Sequence, residues 1–228
     1  MPVYRHHRLA HLHIPKTAGT AIESQFAGLD DMQFDPTSFV GQITRADRCY
    51  ELQHLTLNEL RIESHHDVDA LDIFAVVRNP YQRLVSEYFW RQSILERNPA
   101  AAMAGFESFT SLVEAIPLDM IHNWDRYIAF ADAVHANLLI HLRPQSHYVC
   151  NLGGRLDPAV NIVRFEHLHE DLEPIYLRHD VATRLAQREQ MPYRLSDFYN
   201  DASLSLVNRA YAHDFEWFGY ERLDTVNT

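Results

Sequence analysis

The sequence HLHIPKTAGTAIESQF, residues 11–26, holds the first side chains whose types and spacing could do chemistry. A short apolar run ends at Ile14, and small and hydroxyl residues lead into a helical pattern, which predicts a strand, a tight loop and a helix. Such a loop presents unpaired backbone N–H groups and the positive end of a helix dipole, which together bind anions. The charge of Lys16 and the hydroxyls of Thr17 and Thr20 therefore predict a phosphate-binding loop.

The glycine pattern of this loop separates it from the common nucleoside triphosphate loop. The sequence GxxxxGK[ST] is absent, because Lys16 precedes the single glycine of the loop, Gly19. We also find no convincing acidic Mg²⁺ site after a second predicted strand. Taken alone, PKTAGT is also compatible with an ordinary turn between a strand and a helix, so the prediction needs a second basic group.

Arg78 is that second basic group, in the sequence VRNPYQRLVSEYFW. It follows a nearly continuous apolar run over residues 71–77, which predicts a buried strand, and Ser86 falls about two turns into the helix predicted to begin at Pro80. Ligands of open α/β sheets collect at the carboxyl ends of strands, so Arg78 and the Lys16 loop are predicted to meet over one crevice. The alternative from the residues alone is that Arg78 pairs with a surface carboxylate and Ser86 faces solvent.

Strands and helices alternate along the chain. Apolar runs and alternation predict strands at 8–14, 49–54, 71–77 and 161–168. Helical spacing and capping signals predict helices at 19–27, from Thr56 in TLNE, from Pro80, at 106–116, at 123–142, and around 206–218 with Gly219 as the C-cap. This order predicts the α/β class, specifically a three-layer α/β/α fold like that of P-loop NTPases, with a central, mainly parallel sheet. Without a repeat or a linker, residues 1–228 are predicted to form a single domain.

Composition narrows the class of protein. The 228 residues include 20 basic and 31 acidic side chains, a net charge of -11, which argues against nucleic acid as a partner. Two cysteines provide no disulfide framework, and no signal peptide or apolar run of about 20 residues is found, so a cytoplasmic protein without a membrane span is predicted. His11 and His13 share one face of a strand, but without a third ligand in sequence we predict no metal site.

Two motifs together carry a family resemblance. HIPKTAGT followed by VVRNPYQRLVSEYF resembles the two nucleotide-binding signatures of the sulfotransferases that use 3'-phosphoadenosine 5'-phosphosulfate (PAPS). The resemblance is closest to the family-2 carbohydrate sulfotransferases, such as the heparan sulfate 2-O type. Two looser matches, IVRFEHLHEDL and YAHDFEWFGY, extend it over residues 12–220.

The resemblance implies a donor and a set of site residues. PAPS would be the sulfuryl donor, with Lys16 as a charged catalytic contact and with Arg78 and Ser86 at its 3'-phosphate. His54, in ELQHLTLNEL, is similar to the histidine that removes the acceptor proton in related glycan enzymes, although a structural histidine beside a helix is the alternative. The loop around the 5'-phosphosulfate would consist of Pro15, Lys16, Thr17, Ala18, Gly19 and Thr20.

The predicted reaction is a metal-independent, in-line transfer from PAPS to an acceptor hydroxyl, with a carbohydrate or a small alcohol as acceptor. Two alternative functions are a nucleotide-dependent kinase and a non-catalytic nucleotide-binding protein. The GKS or GKT motif expected of the kinase is absent from this sequence. Gln145 and Arg164 could contact ligand, but we favour structural roles for both. The sequence leaves the identity of the acceptor and the oligomeric state open.

Overall fold

The computed structural model describes eight segments of the chain: residues 3–4, 7–26, 42–45, 48–63, 67–101, 103–118, 131–181 and 193–226. The chain divides into two compact units, each built from three segments. The first unit comprises 1–43, 50–78 and 145–189, and the second comprises 44–49, 79–144 and 190–228. A single domain over 1–228 stays a prediction.

The first unit contains the central sheet. In chain order the strands are β1 (Val3–Tyr4), β2 (Leu9–Leu12), β3 (Gln42–Arg45), β4 (Arg48–Glu51), β5 (Asp72–Val77) and β6 (Val160–Arg164). The central sheet has the order β1-β2-β5-β6, whereas β3 and β4 form a two-stranded sheet of their own. β1 pairs antiparallel with β2, and the pairs β2–β5 and β5–β6 are parallel. This confirms the predicted α/β class with a mainly parallel sheet.

Helices flank the sheet and make up most of the second unit. In chain order they are α1 (Gly19–Glu23), α2 (Leu57–Glu63), α3 (Pro80–Arg97), α4 (Phe109–Glu114), α5 (Ala133–Leu142), α6 (Gln145–Val149), α7 (Leu168–Arg178), α8 (Asp201–Ala210) and α9 (Ala212–Phe218). In the described ranges, none of the helices is long and apolar enough to cross a bilayer.

β5 is almost completely buried, as its apolar sequence predicts. Every residue from Ile73 to Val77 is at most 1% exposed, so both of its faces are covered. On one face, Phe74 and Val76 pack in a cluster with Ile22 of α1 and Tyr176 of α7. Burial of this apolar surface fixes β2 and β5 side by side, and their carboxyl ends therefore lie at the same edge.

Local signals account for the starts of two helices. The predicted capping box of α2 is present: the Thr56 N–H donates to Glu59 Oε2 at 2.7 Å, and the Glu59 N–H donates to Thr56 Oγ1 at 3.2 Å. In α3, Pro80 occupies the first turn, where no N–H is needed, and the Asn79 side chain accepts the N–H of Tyr81 at 3.0 Å. These contacts place the helices directly after their strands or turns.

Some element boundaries differ from the prediction. The predicted strand 161–168 stops at Arg164, because the Arg164 N–H donates to Asp171 Oδ2 at 2.8 Å instead of continuing the ladder. The predicted terminal helix is two helices, α8 and α9, separated at Tyr211, whose φ of -112° and ψ of 30° are not helical. Gly219 does end α9 with the positive φ of 67° expected of a C-cap. Of the predicted helix 123–142, residues 123–130 lie outside the described residues, and α5 begins after Asp132, which caps it.

His11 is buried inside the core around the sheet. Its ring is fully buried and stacks on Phe74 with ring centroids 4.7 Å apart. Among the described residues, neither ring nitrogen of His11 has a hydrogen-bond partner. Burial lowers the pKa of His11 well below its usual range, and the neighbouring His13 lowers it further. The folded protein therefore holds this imidazole neutral, whereas the unfolded chain can protonate it.

We expect His11→Phe to preserve or raise the free energy of unfolding at pH 7, by up to roughly 1–3 kcal/mol, because a buried polar group without partners is removed. The free energy of unfolding of the wild type should also fall by up to about 1.4 kcal/mol per pH unit below about pH 6.5, because only the unfolded chain protonates His11 there. Urea unfolding between pH 5 and 8 measures both effects, and His11→Phe should flatten the slope by that amount. His141→Phe is the control, because His141 bonds Glu87 at 2.9 Å and its loss should destabilise the protein. An equal acid slope in wild type and His11→Phe would contradict the assignment.

Candidate functional site

The loop after β2 has a strained backbone at the two positions around Thr17. Lys16 has a φ of 69° and Ala18 a φ of 78°, both in the left-handed region that residues with a Cβ rarely adopt. Each costs roughly 1–2 kcal/mol, and such strain concentrates at functional sites. The Thr17 hydroxyl donates to the Ile14 carbonyl at 2.8 Å and so stabilises the turn. Left-handed residues in tight turns aim neighbouring N–H groups toward a shared concavity, the arrangement that binds anions.

The helix after this loop is shorter than predicted. α1 has five residues, and Ala18 precedes it without a side-chain cap. A helix of that length contributes little dipole, so an anion would depend mainly on the N–H groups of the loop and on Lys16. Pro15 is buried, Lys16 is half-buried and Thr20 is exposed.

Gly19 is required by a close approach of the His13 ring. A Cβ at Gly19 would lie 2.0 Å from His13 Nε2 and from His13 Cδ2, far inside van der Waals contact. Any larger residue would displace the His13 ring or the loop. The glycine of PKTAGT thus makes room for an imidazole.

The structure brings Arg78 to the same loop. β5 runs parallel to β2 with Leu12 opposite Ala75, so Arg78 and the Lys16 loop leave the sheet at one edge. Arg78 Nη1 lies 3.4 Å from the Lys16 carbonyl, and the guanidinium lies 4.2 Å from the centre of the Phe165 ring. Arg78 is only 5% exposed. This burial does not fit the alternative in which Arg78 pairs with a carboxylate at the surface.

Gln145 fixes the main chain of Arg78. The Arg78 N–H donates to Gln145 Oε1 and Gln145 Nε2 donates to the Arg78 carbonyl, both at 2.8 Å. Gln145 is fully buried at the start of α6. This paired contact agrees with the structural role favoured for Gln145 and gives the end of β5 a defined direction.

Ser86 lies on α3 and Arg164 lies at the end of β6. Ser86 is half-buried on α3, in the second unit, and its binding of a 3'-phosphate stays a prediction. Arg164 ends β6, and its N–H bonds Asp171.

A main-chain carbonyl fixes which ring nitrogen of His54 carries a hydrogen. It ends a 3-10 turn over Leu52–His54 and is 8% exposed. Its Nδ1 lies 2.8 Å from the His13 carbonyl oxygen, which can only accept, so Nδ1 carries the hydrogen. In the neutral ring Nε2 is then the unprotonated nitrogen, able to accept a proton.

The chain as a whole matches a known protein family. Residues 2–221 match the model of the sulfotransferase family. The chain belongs to that family. The match confirms the predicted resemblance to family-2 sulfotransferases and makes this protein a transferase of sulfuryl groups. No curated protein and no solved structure matches the chain.

The sequence did not reveal two residues beside the site of this sulfotransferase, His13 and Glu23. His13 Nδ1 lies 2.6 Å from Glu23 Oε1, and the His13 ring contacts the ring of His54. The alternation in HLH placed His13 on the face of His11 but named no partner for it, and Glu23 follows ten positions later in another element. Among the described residues, no group of three or more His, Cys, Asp or Glu could hold a metal ion.

Proposed function

We propose that this sulfotransferase transfers the sulfuryl group of PAPS to an acceptor hydroxyl of a carbohydrate or a small alcohol. The observation that carries the proposal is the joint emergence of the Lys16 loop and Arg78 at the carboxyl ends of adjacent parallel strands. Both cationic groups lie in a chain of the sulfotransferase family.

The residues at this edge fit a donor with phosphate at both ends. The left-handed turn around Thr17 offers backbone N–H groups, and Lys16 adds a positive charge for the 5'-phosphosulfate. Arg78 supplies a second cation for the 3'-phosphate, oriented by Gln145 and Phe165, and Ser86 is proposed to add a hydroxyl. The bound donor would supply an activated sulfuryl group on a phosphate leaving group.

The proposed chemistry assigns one task to each catalytic side chain. His54 Nε2 accepts the proton of the acceptor hydroxyl while that oxygen forms the new S–O bond. Lys16 stabilises the negative charge that develops on the leaving phosphate as the old S–O bond breaks. The products are a sulfate ester and adenosine 3',5'-bisphosphate, and the acceptor proton remains on His54 until solvent removes it. The loop and Arg78 contribute mainly by alignment.

Charge guides the choice of acceptor. A chain of net charge -11 repels a long anionic polymer, so we propose a neutral sugar or a small alcohol. A cytoplasmic location stays a prediction.

We expect the protein to bind adenosine 3',5'-bisphosphate more tightly than adenosine 5'-monophosphate, because only the former presents a phosphate to Arg78. Arg78→Ala should weaken binding of the bisphosphate about 10- to 100-fold and leave the monophosphate within about twofold, in line with the loss of one charged hydrogen-bonded contact. Titration calorimetry measures all four affinities. Arg97→Ala is the control, since Arg97 is exposed at the end of α3.

Two outcomes would overturn the proposal. Equal affinity of the unmodified protein for both nucleotides would remove the role of Arg78 at a 3'-phosphate. Binding of ATP with Mg²⁺ in place of the bisphosphate would indicate the kinase. Lys16 offers an independent check, since it is the only lysine of the chain. Bound bisphosphate should protect it from amine acylation, as read by mass spectrometry of its peptide.

A further inference from the structure

We infer that His13 and Glu23 are positioning residues that hold His54 in its base form. The inference rests on the proposed function, in which His54 accepts the acceptor proton. Neither residue is proposed to touch the donor or the acceptor.

The first step is the double contact between residue 13 and His54. The His13 carbonyl accepts the Nδ1–H of His54 at 2.8 Å, which selects the tautomer. The His13 ring meets the His54 ring edge to face, with centroids 4.6 Å apart and an interplanar angle of 74°. The carbonyl therefore sets which nitrogen is protonated, and the ring limits how far the imidazole can turn.

The second step is the anchor of the His13 ring. Its Nδ1–H donates to Glu23 Oε1 at 2.6 Å, a short charge-assisted bond between side chains that are 5% and 12% exposed. The other carboxylate oxygen, Oε2, accepts Nε2–H of Gln53 at 3.3 Å, and Gln53 directly precedes His54. Glu23 thus ties the loop after β2, which carries His13, to the turn that carries His54.

The third step is the packing of two neighbouring residues, His11 and Gly19, against the His13 ring. On one side the ring of His11 stacks with centroids 5.6 Å apart and an interplanar angle of 13°. Gly19 is on the ring as well, so close that a Cβ would overlap it. Two neighbours and one carboxylate confine the His13 ring to a single orientation. Because this ring contacts the ring of His54, it also restricts the orientation of His54.

This arrangement has a consequence during transfer. When Nε2 of His54 takes the proton of the acceptor hydroxyl, the ring becomes a cation and its Nδ1–H becomes a stronger donor to the His13 carbonyl. Glu23 places a negative charge behind His13 in a buried setting, where charges interact more strongly than in water. Loss of Glu23 should slow transfer without weakening donor binding.

We expect Glu23→Gln to lower kcat roughly 10- to 100-fold, since a misoriented base costs about that much. The KM for PAPS and the affinity for adenosine 3',5'-bisphosphate should stay within about twofold. In a His54→Asn background the same change should cause no further loss, because residues acting as one unit are not additive. His13→Gln, which keeps an N–H donor, should retain more activity than His13→Ala. Glu216→Gln is the control, as Glu216 forms an exposed pair with His213 at 3.7 Å.

A second measurement keeps the inference separate from the proposed function. Imidazole ¹⁵N NMR of the unmodified protein should show His54 as the Nδ1–H tautomer, and Glu23→Gln should produce a tautomer mixture while Glu216→Gln does not. An unchanged His54 spectrum, or an equal loss of kcat in the His54→Asn background, would overturn the inference. If the unmodified protein did not release adenosine 3',5'-bisphosphate from PAPS, the proposed function would fail, and the NMR result would still decide whether Glu23 helps to hold His54 in that tautomer.

Discussion

Lys16→Ala should lower kcat for sulfuryl transfer at least about 100-fold, because one preorganised charge that stabilises the leaving phosphate is lost. The main chain of Lys16 is held at a φ of 69°, so the loop fixes the point from which the lysine side chain extends. In the proposed mechanism, that charge matters most when the S–O bond breaks and negative charge accumulates on the leaving phosphate. Steady-state release of adenosine 3',5'-bisphosphate from PAPS measures the effect.

The matched variant is Lys16→Arg, which keeps the charge and changes its geometry. It should recover part of kcat, because a guanidinium can neutralise the leaving phosphate without reproducing the point charge of an ammonium. Thermal unfolding and bisphosphate binding should remain measurable for both variants, since Arg78 and the loop N–H groups are intact. A Lys16→Ala protein with unchanged kcat would refute the catalytic role of Lys16.

The parts of the fold that follow local rules could be predicted from the sequence. β5 is recognisable because a strand buried on both faces must be apolar throughout, and the α2 capping box is readable because Thr56 and Glu59 satisfy each other locally. β1 has only two residues, Val3 and Tyr4, and gains its stability by pairing with β2, which no local pattern reveals. The break at Tyr211 is equally non-local, since an apolar helical spacing continues across it.

The candidate site divides in the same way. Lys16 and Arg78 could be found because their positions at strand ends follow from the order of elements, and the parallel pairing of β2 and β5 brings them together. The paired contact between Gln145 and Arg78 joins residues 67 positions apart, and only the folded chain shows it. The contacts of Glu23 and His13 could not be predicted from the sequence for the same reason, because only the folded chain shows them. The residues proposed to touch ligand have recognisable types, whereas those proposed to orient them are defined by their neighbours.

His54→Asn should lower kcat about 10²- to 10⁴-fold, the range expected when a general base is removed. Asparagine is the informative replacement, because its side-chain amide can still donate to the His13 carbonyl, as Nδ1 of His54 does, while the basic nitrogen is absent. The fold and the binding of adenosine 3',5'-bisphosphate should therefore be preserved, as measured by thermal unfolding and calorimetry.

The comparison with His54→Ala separates a base from a structural histidine. If His54 only stabilised the turn before α2, asparagine would keep most of the activity and alanine would lose both stability and activity. If His54 accepts the proton, both variants should be nearly inactive, and only alanine should lose stability. His54 is 8% exposed, and its Nδ1 bonds the main-chain carbonyl of His13 in the loop after β2. Removal of the ring in His54→Ala should therefore lower the free energy of unfolding measurably. A fully active His54→Asn protein would assign proton transfer to another group while leaving the Lys16 and Arg78 assignments intact.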